Sequence, residues 1–309
     1  MTALARHPVR PRTGRPAPAG AASLALREAL SGAPRTARVL AVFPAAVYLE
    51  LRDAPEPRVL AVVASDAARP PNAVVVAAGR RDRPFRHAAE GGEARIGDGR
   101  VEAGALHVRV RRWWDPRPAL GAPDAAAPGA EVLRQGTAEL ARELDGVATG
   151  LAGHPDPALL AARCAAGDLA GAVEAAERIV GLGPGLTPAG DDIIAGLLIA
   201  LRAAGGALGA AGARAVWLAD WLGAAVTADA GTRTTPLAAT LLHCAAEGGA
   251  GAEVAGVLRG AVRLGPLAPA VRRLLAVGHT SGADLAHGVL AGCRAALALG
   301  ARTEHWAPA

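Results

Sequence analysis

The chain has 309 residues, 51% of them hydrophobic, and a formal net charge of +5. This length and apolar content suffice for one large buried core or two smaller ones. All 33 basic residues are arginine, which excludes Schiff-base chemistry on lysine and the lysine-dependent phosphate loop of nucleotide hydrolases. Charge-free apolar runs are shorter than the roughly 18–20 residues of a membrane span, and a basic face with interleaved aromatic residues is not apparent. We therefore expect neither a membrane nor a nucleic acid as a partner.

The first segment in chain order is a leader rich in proline and arginine, residues 1–22. We predict it to be disordered, because it is too polar and too proline-rich for a signal peptide. The three cysteines, Cys164, Cys244 and Cys293, have no paired spacing. They indicate small core residues rather than a disulfide framework or a zinc site, and we expect a cytoplasmic location.

Residues 23–120 are predicted to form a mostly β domain. Short valine-bearing runs are separated by Pro, Gly and Asp, which is typical of strands. Strands are predicted at residues 38–43, 47–52, 58–63, 73–77 and 106–110, with residues 91–99 as a turn-rich connection and the sheet ending at 113–116. The pattern favours a small, mostly antiparallel sheet or barrel.

Residues 121–130, low in complexity and rich in proline, are predicted to be a linker. From 131 to 303 the sequence changes to alanine, leucine and helical spacing, which predicts an all-helical domain and hence an α+β protein. The predicted helices are 131–149, 156–166, 170–180, 190–204, 211–228, 236–247, 251–263, 267–276 and 282–298. Residues 193–201 are apolar on every side, so this helix is expected at the centre of the bundle.

The most informative motif is Gly-Leu-Gly-Pro-Gly-Leu-Thr-Pro-Ala-Gly-Asp-Asp at residues 181–192, directly before that apolar stretch. It predicts a glycine loop that opens a buried helix, with Thr187 as the helix cap and Pro188 at the first helical position. Loop and helix amides would attract an anion. Asp191 and Asp192 would repel it unless magnesium bridges them, one acts as a base, or one holds an arginine. The alternative is an ordinary capped helix start with acidic residues that complement the dipole.

Two further helix starts carry hydroxyl groups beside glycines, at residues 231–236 and 278–284. Each alone is explained as an ordinary cap, but together with the first they suggest one shared anion pocket. His279 is either a hydrogen-bonded loop histidine or a neutral donor and general acid. The candidate ligand-binding residues are Gly183, Gly185, Thr187, Gly190, Arg233, Thr234, Thr235, Thr280, Ser281 and Asp284, and the candidate catalytic residues are His279, Asp191 and Asp192.

The motif at 181–192 with its following Gly-Leu-Leu helix, and Gly-His-Thr-Ser-Gly-x-Asp at 278–284, resemble a family of unassigned function that includes the AllH subunit of oxamate carbamoyltransferase. Weaker similarities are Trp-Asp-Pro at 114–116 and Thr-Thr-Pro at 234–236, and the resemblance extends over about residues 36–300. It implies a role in purine or allantoin catabolism, in which a carbamoyl group passes between an N-carbamoyl compound such as oxalurate and phosphate. The products would be oxamate and carbamoyl phosphate, and other carbamoyltransferase subunits would be required as partners.

On this hypothesis residues 183–187 and 280–281 cradle phosphate, and Arg233 orients an anionic group through bidentate hydrogen bonds. His279 polarises the carbamoyl carbonyl, and Asp191 or Asp192 fixes the geometry or holds Mg²⁺. The ligand would be a small anion: phosphate, carbamoyl phosphate or an N-carbamoyl acid.

Two other functions remain open from the sequence. One is a non-catalytic subunit that binds a ligand or docks its partners. The other is a magnesium-dependent hydrolase with paired aspartates, to which only Asp284 and Asp229 could add carboxylates; we rank this reading last.

Overall fold

The computed structural model describes residues 19–52, 54–121 and 129–304. An eight-stranded closed barrel comes first in the chain, and a helical region follows it. The predicted α+β class and the order of the two parts are confirmed. Within the described ranges, no helix combines the length and apolar character needed to cross a membrane.

The barrel strands are β1 (Ala19–Ser23), β2 (Arg35–Phe43), β3 (Ala46–Leu51), β4 (Val59–Val63), β5 (Ala73–Val76), β6 (Glu93–Gly97), β7 (Arg100–Ala103) and β8 (Leu106–Trp114). Around the barrel they follow the order β1, β5, β4, β3, β2, β6, β7, β8. The pairs β1–β8 and β4–β5 are parallel, and the others are antiparallel. A short helix, α1 (Arg27–Ser31), follows β1.

Two sequence predictions about the barrel are wrong. Residues 19–22 of the predicted leader belong to β1, which pairs with β5 and β8 and closes the barrel; residues 1–18 lie outside the described part of the chain. The segment 91–99, predicted as a connection, contains β6, in which Ala94 and Ile96 are buried and alternate with exposed residues. Flanking glycines hid this alternation, and the short strand β7 was missed as well.

The helical region begins at α2 (Ala130–Glu143), one residue inside the predicted linker, of which residues 122–128 are not described. The remaining helices are α3 (Asp156–Ala166), α4 (Leu169–Ile179), α5 (Ala189–Ala207), α6 (Ala213–Thr227), α7 (Ala230–Arg233), α8 (Pro236–Ala246), α9 (Ala252–Ala261), α10 (Leu267–Leu275) and α11 (Ser281–Glu304). Most predicted helices agree within a few residues, although the first ends at Glu143 rather than at 149.

Helix α5 lies at the centre of the helical region, as predicted, because every residue from 189 to 201 is buried. It packs most extensively against α11. Glycines permit this close approach: a Cβ atom at Gly196 would overlap the carbonyl oxygen of Leu285, and one at Gly288 would overlap that of Ile193. The N-termini of the two long helices are thereby held side by side.

Barrel and helices also contact each other directly. The Thr240 hydroxyl of α8 donates to a carboxylate oxygen of Glu56 and accepts from the backbone N–H of Val59 at 3.1 Å. Near α9, the N–H of Ala252 donates to the carbonyl oxygen of Arg69 at 2.9 Å. These contacts join the barrel loops to the helices that surround the start of α5.

Candidate functional site

The glycine loop between α4 and α5 has a backbone that L side chains rarely adopt. Gly181, Gly183 and Gly185 have φ values of +73°, +120° and +95°, which glycine reaches without steric cost. At the end of the loop the N–H of Gly190 donates to the carbonyl oxygen of Leu182 at 3.0 Å. The loop is thus folded back onto the first turn of α5.

The start of α5 differs from the prediction. Its N-cap residue is Pro188, which offers no side-chain hydrogen bond, so the predicted cap by Thr187 is wrong. The Thr187 hydroxyl instead lies 3.0 Å from that of Ser281, the first residue of α11. The amides of Asp191 and Asp192 both donate to the carbonyl oxygen of Pro188. Together with the Gly190 amide, three amides in the first turn of α5 are therefore already used by the backbone.

Asp191 ties the loop to the α7–α8 connection. One carboxylate oxygen accepts from the N–H of Gly181 at 2.9 Å, and the other accepts from the Thr234 hydroxyl. Burial raises the pKa of Asp191, and these two hydrogen bonds oppose the shift. Both acceptor oxygens are engaged, so Asp191 organises the site rather than facing an open space.

Asp192 occupies a different position on the same turn. Its side chain is only 5% exposed, and its Oδ2 atom has no hydrogen-bond partner in the described part of the chain. Burial raises the pKa of Asp192 to about 8; hydrogen bonds from Ser281 and Thr187 lower it, and the charges of Asp284 and Asp191 raise it. This carboxyl group is therefore mostly protonated at neutral pH, which gives it a donor O–H as well as acceptor oxygens.

Asp284 on α11 holds a loop amide as Asp191 does, but its Oδ2 atom, like that of Asp192, has no hydrogen-bond partner in the described part of the chain. Asp284 is wholly buried, and one carboxylate oxygen accepts from the N–H of Gly150 at 2.8 Å. Burial raises its pKa, while hydrogen bonds from Gly150 and Thr280 oppose the shift. Each long helix thus uses an aspartate near its start to hold the amide of a loop glycine.

The third helix start also reaches the glycine loop. Thr235 caps α8 by accepting from the N–H of Ala238 at 3.1 Å, with Pro236 at the first helical position. The Thr235 hydroxyl donates to the carbonyl oxygen of Leu186 at 2.5 Å. All three hydroxyl-bearing helix starts therefore contact one another through residues 181–192.

A cavity of about 350 Å³ opens at this point, between the barrel and the helical region. Its polar end is formed by Thr187, Asp192 and Ser281. The rest is mostly apolar, with Phe43, Tyr48, Ala68, Pro70 and Pro71 from the barrel and Leu186, Ala195, Ile199, Leu237, Leu241, Val254, Leu274, Val277 and Leu285 from the helical region. Gly249, Gly251, Glu253 and Gly278 complete the lining.

Several predicted site residues lie outside this lining. Arg233 donates to the carbonyl oxygen of Glu177 and pairs with Asp229, its Nη1 lying 3.7 Å from a carboxylate oxygen. His279 is exposed, although its neighbour Gly278 lines the cavity. Gly183, Gly185, Gly190, Asp191, Thr234, Thr235, Thr280 and Asp284 surround the site without lining the cavity.

The charge of the lining is also different from that of an anion pocket. Among the described residues that line the cavity, none is arginine or histidine, and the two ionisable carboxyl groups are those of Asp192 and Glu253. A free phosphate ion inside would meet no counter-charge there. Any anion-binding role of this chain therefore needs groups beyond this lining.

Magnesium does not fit the aspartates. Within the described ranges, no three His, Cys, Asp or Glu side chains are grouped so that they could hold a metal ion. Both oxygens of Asp191 already accept hydrogen bonds, so a magnesium ion there would compete with the contacts that hold the glycine loop.

Sequence reasoning missed the barrel side of the site. Phe43 and Tyr48 form an edge-to-face aromatic pair with ring centroids 6.0 Å apart, and both line the cavity. The chain has a single tyrosine and two phenylalanines, so two of these three residues lie together here. The available signal was that two such scarce residues, Phe43 at the end of β2 and Tyr48 near the start of β3, lie close together in the sequence.

Comparison with known families gives one result. A family model described as oxamate carbamoyltransferase subunit AllH matches residues 179–293. The resemblance seen in the motifs is thereby confirmed, over a narrower range than 36–300. The match extends from the last residue of α4 into α11 and includes the glycine loop and all three helix starts, whereas Phe43 and Tyr48 lie outside it. No curated protein and no solved structure gives a significant match. The AllH match supports a subunit role in an oxamate carbamoyltransferase complex.

Proposed function

We propose that this chain is a subunit of an oxamate carbamoyltransferase-like complex and that its cavity holds the N-carbamoyl substrate. The observation that carries this proposal is the position of Asp192, a buried carboxyl group at the polar end of the cavity, whose Oδ2 atom has no hydrogen-bond partner among the described residues. Asp192 lies inside the AllH-matched region, and burial raises its pKa to about 8, which favours the uncharged form. The complex would transfer a carbamoyl group between an oxalurate-like compound and phosphate.

The chemistry of a carbamoyl group suits this end of the cavity. The group presents one carbonyl oxygen as acceptor and N–H groups as donors. A protonated carboxyl presents the complementary pair, an O–H donor and a C=O acceptor. The hydroxyls of Thr187 and Ser281, which lie on either side of Asp192, can serve as further donors or acceptors. Asp192 is thus proposed to hold the carbamoyl group through two parallel hydrogen bonds.

The same contact would assist the reaction. A phosphate oxygen attacks the carbamoyl carbon, the bond from that carbon to the departing nitrogen breaks, and this nitrogen takes the electron pair and a proton. Negative charge develops on the carbamoyl oxygen during the attack, where a preorganised O–H donor stabilises it. A neutral carboxylic acid is suited to this task because it donates without adding a charge of its own.

The other predicted site residues are given the following roles. Asp191 and Asp284 position the loops, because each accepts the N–H of a loop glycine. His279, next to the cavity residue Gly278, is proposed to protonate the departing nitrogen. Arg233 is proposed to orient an anionic group only after it leaves Glu177 and Asp229. Residues 183–187 and 280–281 keep the proposed role of a phosphate cradle, and Thr234 and Thr235 that of ligand-binding residues at the third helix start.

The charge balance of the cavity explains the need for partners. Because the described lining contains no arginine or histidine, we propose that cationic groups for phosphate come from another subunit that approaches the mouth of the cavity. The same observation favours a second candidate function, in which this chain only binds the N-carbamoyl ligand and all chemistry takes place on a partner.

The test is turnover in a complex reconstituted with the other oxamate carbamoyltransferase subunits. Carbamoyl phosphate formation from oxalurate and phosphate is measured with wild type, Asp192→Ala and, as a matched surface control, Asp98→Ala. We expect Asp192→Ala to lower kcat by about 100-fold or more, the usual effect of removing a transition-state donor. A change confined to KM would favour the binding subunit, and unchanged kcat and KM would reject both functions for this cavity.

A further inference from the structure

The walls of the cavity contain more apolar surface than oxalurate could use. Oxalurate is a short acylurea that ends in a carboxylate, so nearly all of its atoms are polar. The cavity volume of about 350 Å³ falls within the range of roughly 300–1,000 Å³ that is typical of sites for larger small molecules. Beyond the end formed by Thr187, Asp192 and Ser281, the walls are mostly aliphatic and aromatic side chains, together with Glu253 and three glycines.

Two large hydrophobic residues are left exposed at this cavity. Phe43 at the end of β2 is 46% exposed and Leu186 in the glycine loop is 38% exposed, and both line the cavity. They reach it from opposite parts of the fold, the barrel and the helical region. Exposed apolar side chains that meet at a cavity are typical of a surface that a ligand covers.

The charges of the lining disfavour a carboxylate ligand. Glu253 at the cavity accepts a hydrogen bond from the backbone N–H of Arg69 at 3.3 Å, and no arginine or histidine accompanies it among the described lining residues. The carboxylate of oxalurate would leave water without gaining a cationic partner, and like charges repel. An uncharged ligand avoids both costs.

We infer that this cavity selects an uncharged N-carbamoyl compound with an apolar substituent, an acylurea or a related ureide, in preference to oxalurate. The inference rests on the proposed function for the placement of the carbamoyl group at Asp192. The substituent then lies against Phe43, Tyr48 and Leu186, where its burial adds affinity.

The test is calorimetric titration of the full chain, and of the reconstituted complex, with oxalurate, acetylurea, butyrylurea and phenylacetylurea. Methyl phenylacetate, which keeps the apolar group but has no C(O)NH2 group to pair with Asp192, is the ligand control. We expect affinity to rise roughly fourfold for each methylene added until the cavity is full, and phenylacetylurea to bind at least tenfold more tightly than oxalurate or methyl phenylacetate.

Three variants and one control variant locate the binding. Phe43→Ala and Leu186→Ala should each weaken phenylacetylurea about tenfold and change acetylurea by less than twofold. Trp217→Ala is the matched control, since this exposed aromatic residue lies outside the cavity lining and should change neither. Glu253→Gln should strengthen oxalurate binding and leave phenylacetylurea unchanged.

The outcomes separate this inference from the proposed function. If oxalurate binds as tightly as phenylacetylurea, the inference is overturned and the proposed function stands. If methyl phenylacetate binds as tightly as phenylacetylurea, carbamoyl recognition by Asp192 fails, and both are overturned. If the acylureas bind neither the chain nor the complex, the inference is overturned, while turnover of oxalurate still tests the proposed function.

Discussion

Replacing Asp192 with asparagine should change how the stability of the protein depends on pH. Burial raises the pKa of Asp192 from 3.8 to about 8, so the folded chain keeps a proton there that the unfolded chain releases above about pH 4. Between these two values the folded state binds more protons than the unfolded state. The free energy of unfolding of wild type therefore falls as pH rises, and below about pH 4 this group contributes no pH dependence.

The size of the effect follows from the proton difference. One proton contributes about 1.4 kcal/mol per pH unit, so the full interval from 3.8 to about 8 corresponds to about 6 kcal/mol. Between pH 5 and 7.5, where most proteins can be measured, the expected loss is about 3 kcal/mol. This is a large part of a typical stability of about 5–15 kcal/mol. Asparagine imitates the protonated carboxyl in shape and stays neutral, so Asp192→Asn should remove this slope.

The assay is urea unfolding followed by circular dichroism at several pH values between 5 and 7.5. Asp98→Asn is the matched control, because the exposed Asp98 lies in a turn with φ of +51°, a conformation that asparagine also adopts. We expect the wild-type and Asp98→Asn curves to run parallel and the Asp192→Asn curve to become less steep, with the variant more stable at pH 7.5. Equal slopes for wild type and Asp192→Asn would show that this carboxyl is ionised in the folded chain.

Three further predictions concern packing and reactivity. Gly190→Ala should lower the free energy of unfolding by about 3 kcal/mol, because a Cβ atom there would overlap the carbonyl oxygen of Ile179, the last residue of α4. Gly206→Ala in the same helix is the control: its Cβ atom would meet no atom within 4 Å, and the substitution should be stabilising. Thr240→Val should cost about 1–3 kcal/mol in urea unfolding, because it leaves the N–H of Val59 and the carboxylate of Glu56 without this hydroxyl. Burial raises the pKa of each of the three cysteine thiols to about 12. Iodoacetamide at pH 8 should therefore label them only after unfolding. Rapid labelling of the folded chain would contradict their burial.

Local patterns sufficed for the features that depend on neighbouring residues. The central helix α5 could be predicted because residues 193–201 are apolar on all sides and a proline-glycine loop precedes them. The cap of α8 could be predicted because Thr235 and Pro236 act on amides within the same turn. In both cases the physical cause lies within a few residues of its effect.

Other features depend on partners distant in sequence. Thr187 has the right position for a cap, yet its hydroxyl contacts Ser281, which is 94 residues away. Strand β1 consists of alanine, glycine and serine, which have little preference for strands. It forms because β5 and β8 offer their free edges on both sides, and a single sequence does not reveal which edges are free.

The glycine loop and the start of α5 have a different electrostatic character in the folded chain from the one that their sequence suggested. The glycine loop and the helix start suggested an anion site, since free N–H groups carry positive charge. In the folded chain the amides of Gly190, Asp191 and Asp192 donate to backbone carbonyls. The hydrogen bonds from Ser281 and Thr187 offset the burial of Asp192 only in part, and its carboxyl group lowers its energy by retaining a proton. The cavity thereby gains an uncharged donor beside the proposed phosphate cradle, and this is why its ligand is expected to be a neutral carbamoyl group.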